Sequence, residues 1–172
     1  MPLEGFFNRA YVEEVTVHRI SGWTSTSDST IAESREFVGV EFVSPILRGA
    51  EGLREVKRVY EILNRYGCRP HKSAGLHIHV GFDKTNRKVL TRLVNTVANA
   101  EKANFASTGT HRRESANWGG SLKRFASNAR EVFRARNRYA SLNITTRHPT
   151  VEFRAFASTM NFVKVCAYIR MV

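Results

Sequence analysis

Hydrophobic positions along this chain recur with two periods, and each change of period marks an element. Val15 and Val17 alternate with polar neighbours, which predicts a strand over residues 12–20, and Val38, Val40 and Phe42 predict another over residues 37–43. Residues 21–29 are polar, rich in turn formers and contain Trp23 and Asp28, so they predict a connection. The second strand stops at Ser44-Pro45, because proline lacks a backbone donor and restricts the residue before it. From Glu51 the spacing becomes helical. Leu53, Val56, Tyr60 and Leu63 fall on one stripe, Gly52-Leu53 opens the helix, and Gly67 stands where a left-handed residue closes it.

Alternation returns over residues 74–82 and places Leu76, Ile78 and Val80 on one face, His77, His79 and Gly81 on the other. Val89, Leu90, Leu93, Val94 and Val97 predict a second helix over residues 85–105, with Asp83 or Thr85 as its cap. A loop rich in glycine, serine and arginine follows over residues 107–121, long enough to suggest a functional role. Residues 122–138 predict a third helix, with Arg130, Arg134 and Arg138 one turn apart. Strands over residues 140–146 and 150–157 follow, joined by Arg147-His148-Pro149, and Phe162, Val165 and Ile169 begin an amphipathic helix that could pack on a second copy. Elements in this order predict one α+β domain over residues 1–172, a mainly antiparallel sheet with helices packed on one face.

Composition narrows the class. A chain of 172 residues supports one core without staples, and it has no apolar run near the roughly 20 residues that span a bilayer. No membrane partner is expected. The first residues mix Glu4 and Arg9 with Phe6 and Phe7 and do not read as a secretory signal, which predicts a cytoplasmic protein. Cys68 and Cys166 have no metal-type spacing and read as reduced thiols. The charge is what stands out: 27 basic against 15 acidic residues gives +12. Such a field attracts nucleic acid, nucleotide phosphates or other polyanions, although basic surface also serves solubility.

Parity along the strands gathers candidate chemistry. Over residues 150–157, Glu152 and Arg154 share one face while Val151, Phe153 and Ala155 share the other. Glu41 opposes Val38, Val40 and Phe42; His77 and His79 add imidazoles, and Asn143 an amide. Each has a bland alternative, such as an ion pair on a wet sheet or histidines facing solvent. Together they suit a metal-bound phosphate, since carboxylates hold hard cations and arginine grips phosphate oxygens with a fork of donors.

The order Gly39-Val40-Glu41-Phe42-Val43-Ser44-Pro45, Gly52-Leu53, Gly75-Leu76-His77-Ile78-His79-Val80, Leu142-Asn143, Thr150-Val151-Glu152-Phe153-Arg154 and Ser158-Thr159-Met160-Asn161 resembles the amidoligase family. Gly22-Trp23 and residues 27–31 resemble the family's tryptophan and aspartate-serine segment. The resemblance spans residues 15–172 and implies a glutamine-synthetase-like catalytic core that uses ATP and Mg2+. It implies Glu41, His77 and Glu152 as metal ligands. His79, Asn143 and Arg154 would lie at the nucleotide, and Arg154, Glu152 and His77 would serve catalysis. The implied reaction activates a small-molecule or peptide carboxylate as an acyl phosphate, which an amine then attacks. Arg112, Arg113 and Lys123 would help hold substrate. Family members begin with a Gly-x-Glu-x-Glu strand, so residues 1–21 are expected as a divergent, shortened segment, with Glu4-Gly5-Phe6-Phe7 a degenerate remnant.

Two other classes compete. One is a catalytically inactive basic protein on the same scaffold, of phage or mobile-element type, that binds nucleic acid or a host protein. The other is an endonuclease of the His-hydrophobic-His kind, for which His77-Ile78-His79 supplies the motif and Tyr60, Tyr66 or Tyr139 the nucleophile.

Overall fold

A computed structural model describes residues 2–8, 22–27, 37–108 and 114–172, with the backbone alone considered for residues 2–8. The strand expected over residues 12–20, Asp28, Arg112 and Arg113 lie outside the described residues. The fold is α+β, and the pairs β1–β3, β1–β4, β2–β3 and β5–β6 defined below are all antiparallel. The chain divides into two compact units, Met1–Leu76 with Ser158–Met171, and His77–Ala157 with Val172.

The first unit holds strands β1 (Pro2–Asn8), β2 (Thr24–Ser27) and β3 (Phe37–Val43), and helices α1 (Gly49–Arg65) and α4 (Phe162–Met171). Strand β3 runs between β2 and β1, with Glu41 in register with Glu4 of β1 and Thr26 of β2. The segment around Glu4-Gly5-Phe6-Phe7 is therefore a full strand. At β2 the structure corrects the polar connection expected over residues 21–29. Thr24 and Thr26 are exposed on a strand that is outermost among those described, where the ladder to β3 supplies the stability and no apolar face is required.

Helix α1 buries Val56, Val59, Tyr60 and Leu63, and it ends as expected before Gly67, whose φ is 69°. Gly52 is required at its start, because a Cβ there would lie 2.9 Å from the Leu47 Cβ. Helix α4 packs on α1 through buried Val165 and Tyr168, and the Tyr60 and Phe162 rings are 6.5 Å apart. The stripe offered to a second copy is thus partly used within the unit. Cys68 and Cys166 are both free thiols.

The second unit holds most of β4 (Gly75–Gly81), then α2 (Arg87–Ser107), a 3-10 turn (Leu122–Arg124), α3 (Ala129–Ala135), β5 (Leu142–Asn143) and β6 (Thr150–Ala157). Strand β6 lies between β4 and β5, and α2 packs on β6. Asn86, not Asp83 or Thr85, caps α2, its side chain accepting from the Val89 amide, because the Asp83 carboxylate is taken by Thr85. Val89 is consequently exposed, while Leu90, Val94, Val97 and Phe105 face the core.

The helix expected over residues 122–138 is broken. Glu101 accepts from the Leu122 amide and tightens the first turn, Asn128 caps a new helix by accepting from the Glu131 amide, and Glu131 accepts from Ser127 in return. The strand expected over residues 140–146 shrinks to Leu142–Asn143, because the Asn143 Oδ1 accepts from both Thr145 N and Oγ1 and bends the chain. Among the described residues no helix is long and apolar enough to cross a membrane.

Candidate active site

Strand β6 carries the central group. Both faces of this strand are covered, so Glu152 is only 5% exposed despite its charge. A carboxylate in that position requires partners, and the two-residue repeat of the strand supplies the first: Arg154, on the same face, donates through Nη1 to Glu152 Oε1. Asn143 stands opposite Glu152 in the β5–β6 ladder and donates from Nδ2 to Oε2 at 2.7 Å. From β4, His77 Nδ1 lies 3.3 Å and His79 Nε2 3.7 Å from the same Oε1. The structure thus gathers His77, His79, Asn143, Glu152 and Arg154 of the sequence-predicted set within one unit. Glu41 is half-buried on β3 of the first unit, and Lys123 is exposed in the 3-10 turn.

The two histidines differ in what surrounds them. His77 is 7% exposed, whereas the His79 side chain is 31% exposed. Burial pushes the His79 pKa down, opposed by the Glu152 carboxylate and reinforced by Arg154 and His148. His79 Nδ1 lies 3.3 Å from Thr150 Oγ1, which directs Nε2 towards Glu152. Thr150 Oγ1 donates to Thr146 Oγ1, and the Lys84 ammonium donates to Thr146 O, Thr146 Oγ1 and His148 O at 2.7, 3.0 and 2.8 Å. All three ammonium protons of Lys84 are therefore used to hold the turn beside His79.

Sequence patterning overlooked Glu101. It lies on the buried stripe of α2 between Val97 and Phe105 and is 3% exposed. Its carboxylate accepts from Ser121 Oγ at 2.7 Å, from Leu122 N at 2.6 Å and from Ser141 Oγ. The Ser141 carbonyl in turn accepts from the Arg154 amide at 2.7 Å. A carboxylate on an otherwise apolar helical stripe was the available signal, since such a group is kept only where donors meet it.

Magnesium takes oxygen ligands in near-octahedral geometry, commonly one or two carboxylates together with nucleotide phosphates. Among the described residues no group of three or more His, Cys, Asp or Glu side chains is arranged to hold a metal ion. Glu152 contributes one carboxylate, and the His77 and His79 nitrogens lie 3.3 and 3.7 Å from its Oε1. Of the tyrosines in the endonuclease reading, Tyr66 is half-buried at the end of α1. Tyr60 is 1% exposed and burial drives its phenol pKa far up, while the Tyr139 ring is engaged by Trp118 and Arg138.

Comparison with known families gives the class first: the chain is of ligase type. It belongs to the family described as "Putative amidoligase enzyme", which matches over residues 7–124. That stretch contains Glu41, His77 and His79, whereas Asn143, Glu152 and Arg154 lie beyond it. No curated protein and no solved structure matches the chain.

Proposed function

We propose that this protein is a carboxylate-amine ligase that uses ATP and magnesium to form an amide bond through an acyl phosphate. The observation that carries the reading is the buried Glu152 carboxylate shared by Arg154, His77, His79 and Asn143. A small-molecule or peptide carboxylate would attack the γ-phosphorus of ATP and release ADP. An amine would then attack the acyl carbon, expelling phosphate and giving up a proton.

Each step has a residue suited to it. Negative charge spreads over the phosphoryl oxygens in the first step, and Arg154, already oriented by Glu152, presents a rigid fork of donors to stabilise it. A proton leaves the amine in the second step. Its acceptor must be neutral and accessible, and His79 meets both needs because burial depresses its pKa while part of the ring stays exposed. Asn143 fixes the Glu152 carboxylate so that its free rotation does not compete with substrate. Magnesium entering with the nucleotide, with Glu152 and His77 beside it, would neutralise phosphate charge. The reading implies a cytoplasmic protein supplied with ATP.

The test is thermal unfolding with and without ATP plus magnesium, for wild type and Glu152→Ala. Ligand at about 100 times its dissociation constant should stabilise the wild type by about 2.7 kcal/mol, and the variant should lose that shift. Absence of any shift in the wild type at saturating nucleotide would remove the basis for the ligase reading.

A further inference from the structure

The second unit carries a basic, aromatic surface that the ligase reading does not use. Arg124 donates from Nη1 to the carbonyls of Ser115 and Ala116 and so fixes the loop that bears Trp118. Trp118 is 48% exposed and meets the Tyr139 ring edge-on, with centroids 4.5 Å apart at 84°. The Gly119 amide donates to the Tyr139 carbonyl at 2.6 Å, and the Arg138 guanidinium lies 5.2 Å from the Tyr139 ring centroid. In the sequence between Arg124 and Arg138, α3 turns Ala129 and Val132 inward and exposes Arg130 and Arg134.

Two features indicate that the charge faces a ligand. Among the described residues no carboxylate comes within ion-pair distance of Arg130, Arg134, Arg136 or Arg138, and Glu131, the only acid between Lys123 and Arg138, accepts from Ser127 and feels the Arg134 charge without a direct contact. Arg136 closes α3 in the left-handed region at φ 45°, the only non-glycine residue described with a positive φ. Glycine would adopt that conformation without strain, so arginine at this position carries a backbone cost that glycine would not.

Exposed arginines with no direct ion pair, together with an exposed indole, match the chemistry of single-stranded nucleic acid, whose phosphates pair with guanidinium and whose unstacked bases offer flat faces to aromatic rings. We propose that the surface formed by Trp118, Tyr139, Arg138 and the outer face of α3 binds single-stranded nucleic acid. An acidic peptide would satisfy the charge but not the indole, and a duplex keeps its bases stacked and withheld. This inference stands independently of whether the chain is a ligase.

The full chain is tested as Trp23→Phe, which leaves Trp118 as the sole tryptophan reporter. An oligothymidylate of about 20 nucleotides should quench its fluorescence, and affinity should fall with salt with a slope near −0.7 per neutralised phosphate. Arg134→Glu with Arg138→Glu should weaken binding by about tenfold or more, and Trp118→Ala, read by anisotropy of a labelled oligonucleotide, by about tenfold at unchanged charge. Circular dichroism establishes that each variant is folded. The charge-matched control Arg54→Glu with Arg92→Glu, at exposed sites elsewhere, should retain most of the affinity. Equal loss in that control, equal binding of duplex or polyglutamate, or an unresponsive Trp118 would each overturn the proposal.

Discussion

Asn143 and Glu152 are direct partners across the β5–β6 ladder, and their side chains are joined by a 2.7 Å hydrogen bond from Nδ2 to Oε2. The amide orientation is fixed from the other end, because Asn143 Oδ1 accepts from Thr145 N and Thr145 Oγ1, both at 2.8 Å. Asn143 thus cannot flip without placing an acceptor against a carboxylate and a donor against a donor. Glu152 is aimed from one oxygen by a neutral amide, while the other oxygen meets the guanidinium and both imidazoles.

Asn143→Asp tests that geometry. It sets a second carboxylate against Glu152 and exchanges a hydrogen bond for like-charge repulsion, costing about 2 kcal/mol near pH 7. The pair must bind a proton more readily folded than unfolded, so the added penalty should shrink as pH falls towards about 5. Urea denaturation of both proteins at several pH values checks it, and a penalty independent of pH would contradict the arrangement.

His79 should titrate below the ordinary histidine value of 6.5. Its folded pKa is depressed, so below about 6.5 the unfolded chain binds the proton first and folding stability declines as pH falls through that window. His79→Gln should flatten the decline. Histidine ring signals followed by NMR across the same range give the direct reading, and a midpoint above 6.5 would show that Glu152 outweighs burial.

Glu101 is predicted to matter more for stability than its helix position suggests. Glu101→Ala leaves the Leu122 amide and the Ser121 and Ser141 hydroxyls without their common acceptor, at a cost of about 3 kcal/mol. Glu101→Gln keeps one acceptor oxygen, and the serine hydroxyls can rotate to accept, so its cost should be about half as large. Denaturant titration of both variants separates the loss of charge from the loss of hydrogen bonds.

Gly120→Ala should destabilise by about 2 kcal/mol or more, since a Cβ there would fall 2.3 Å from the Ala116 carbonyl oxygen, which is backbone and cannot step aside. The Gly120 carbonyl also accepts from the Ser141 amide at 2.7 Å, so displacement would carry into β5. Gly81→Ala, where no atom lies within 4 Å of the added carbon, is the comparison and should change stability by less than about 0.5 kcal/mol.

The periodicity of single segments was enough to read β3, α1, β4 and β6, with β6 observed at the expected bounds. It also put His77 with His79 and Glu152 with Arg154, because alternation in a strand is a local property of the backbone. What it left open depended on groups distant in sequence. The 122–138 helix looked continuous until Glu101 claimed the Leu122 amide, and the polar 24–27 segment became a strand only because β3 offered an edge. Asn143 acquired its role from register with Glu152, and His79 its orientation from Thr150. Apolar spacing records which side of an element leaves water, whereas a hydrogen bond between buried polar groups depends on the position and angle of both partners. The sequence alone therefore determined the α+β class, the elements β3, α1, β4 and β6 and their polar faces; only tertiary structure decided the remaining elements and which polar groups meet, because that geometry exists only once the strands are in register.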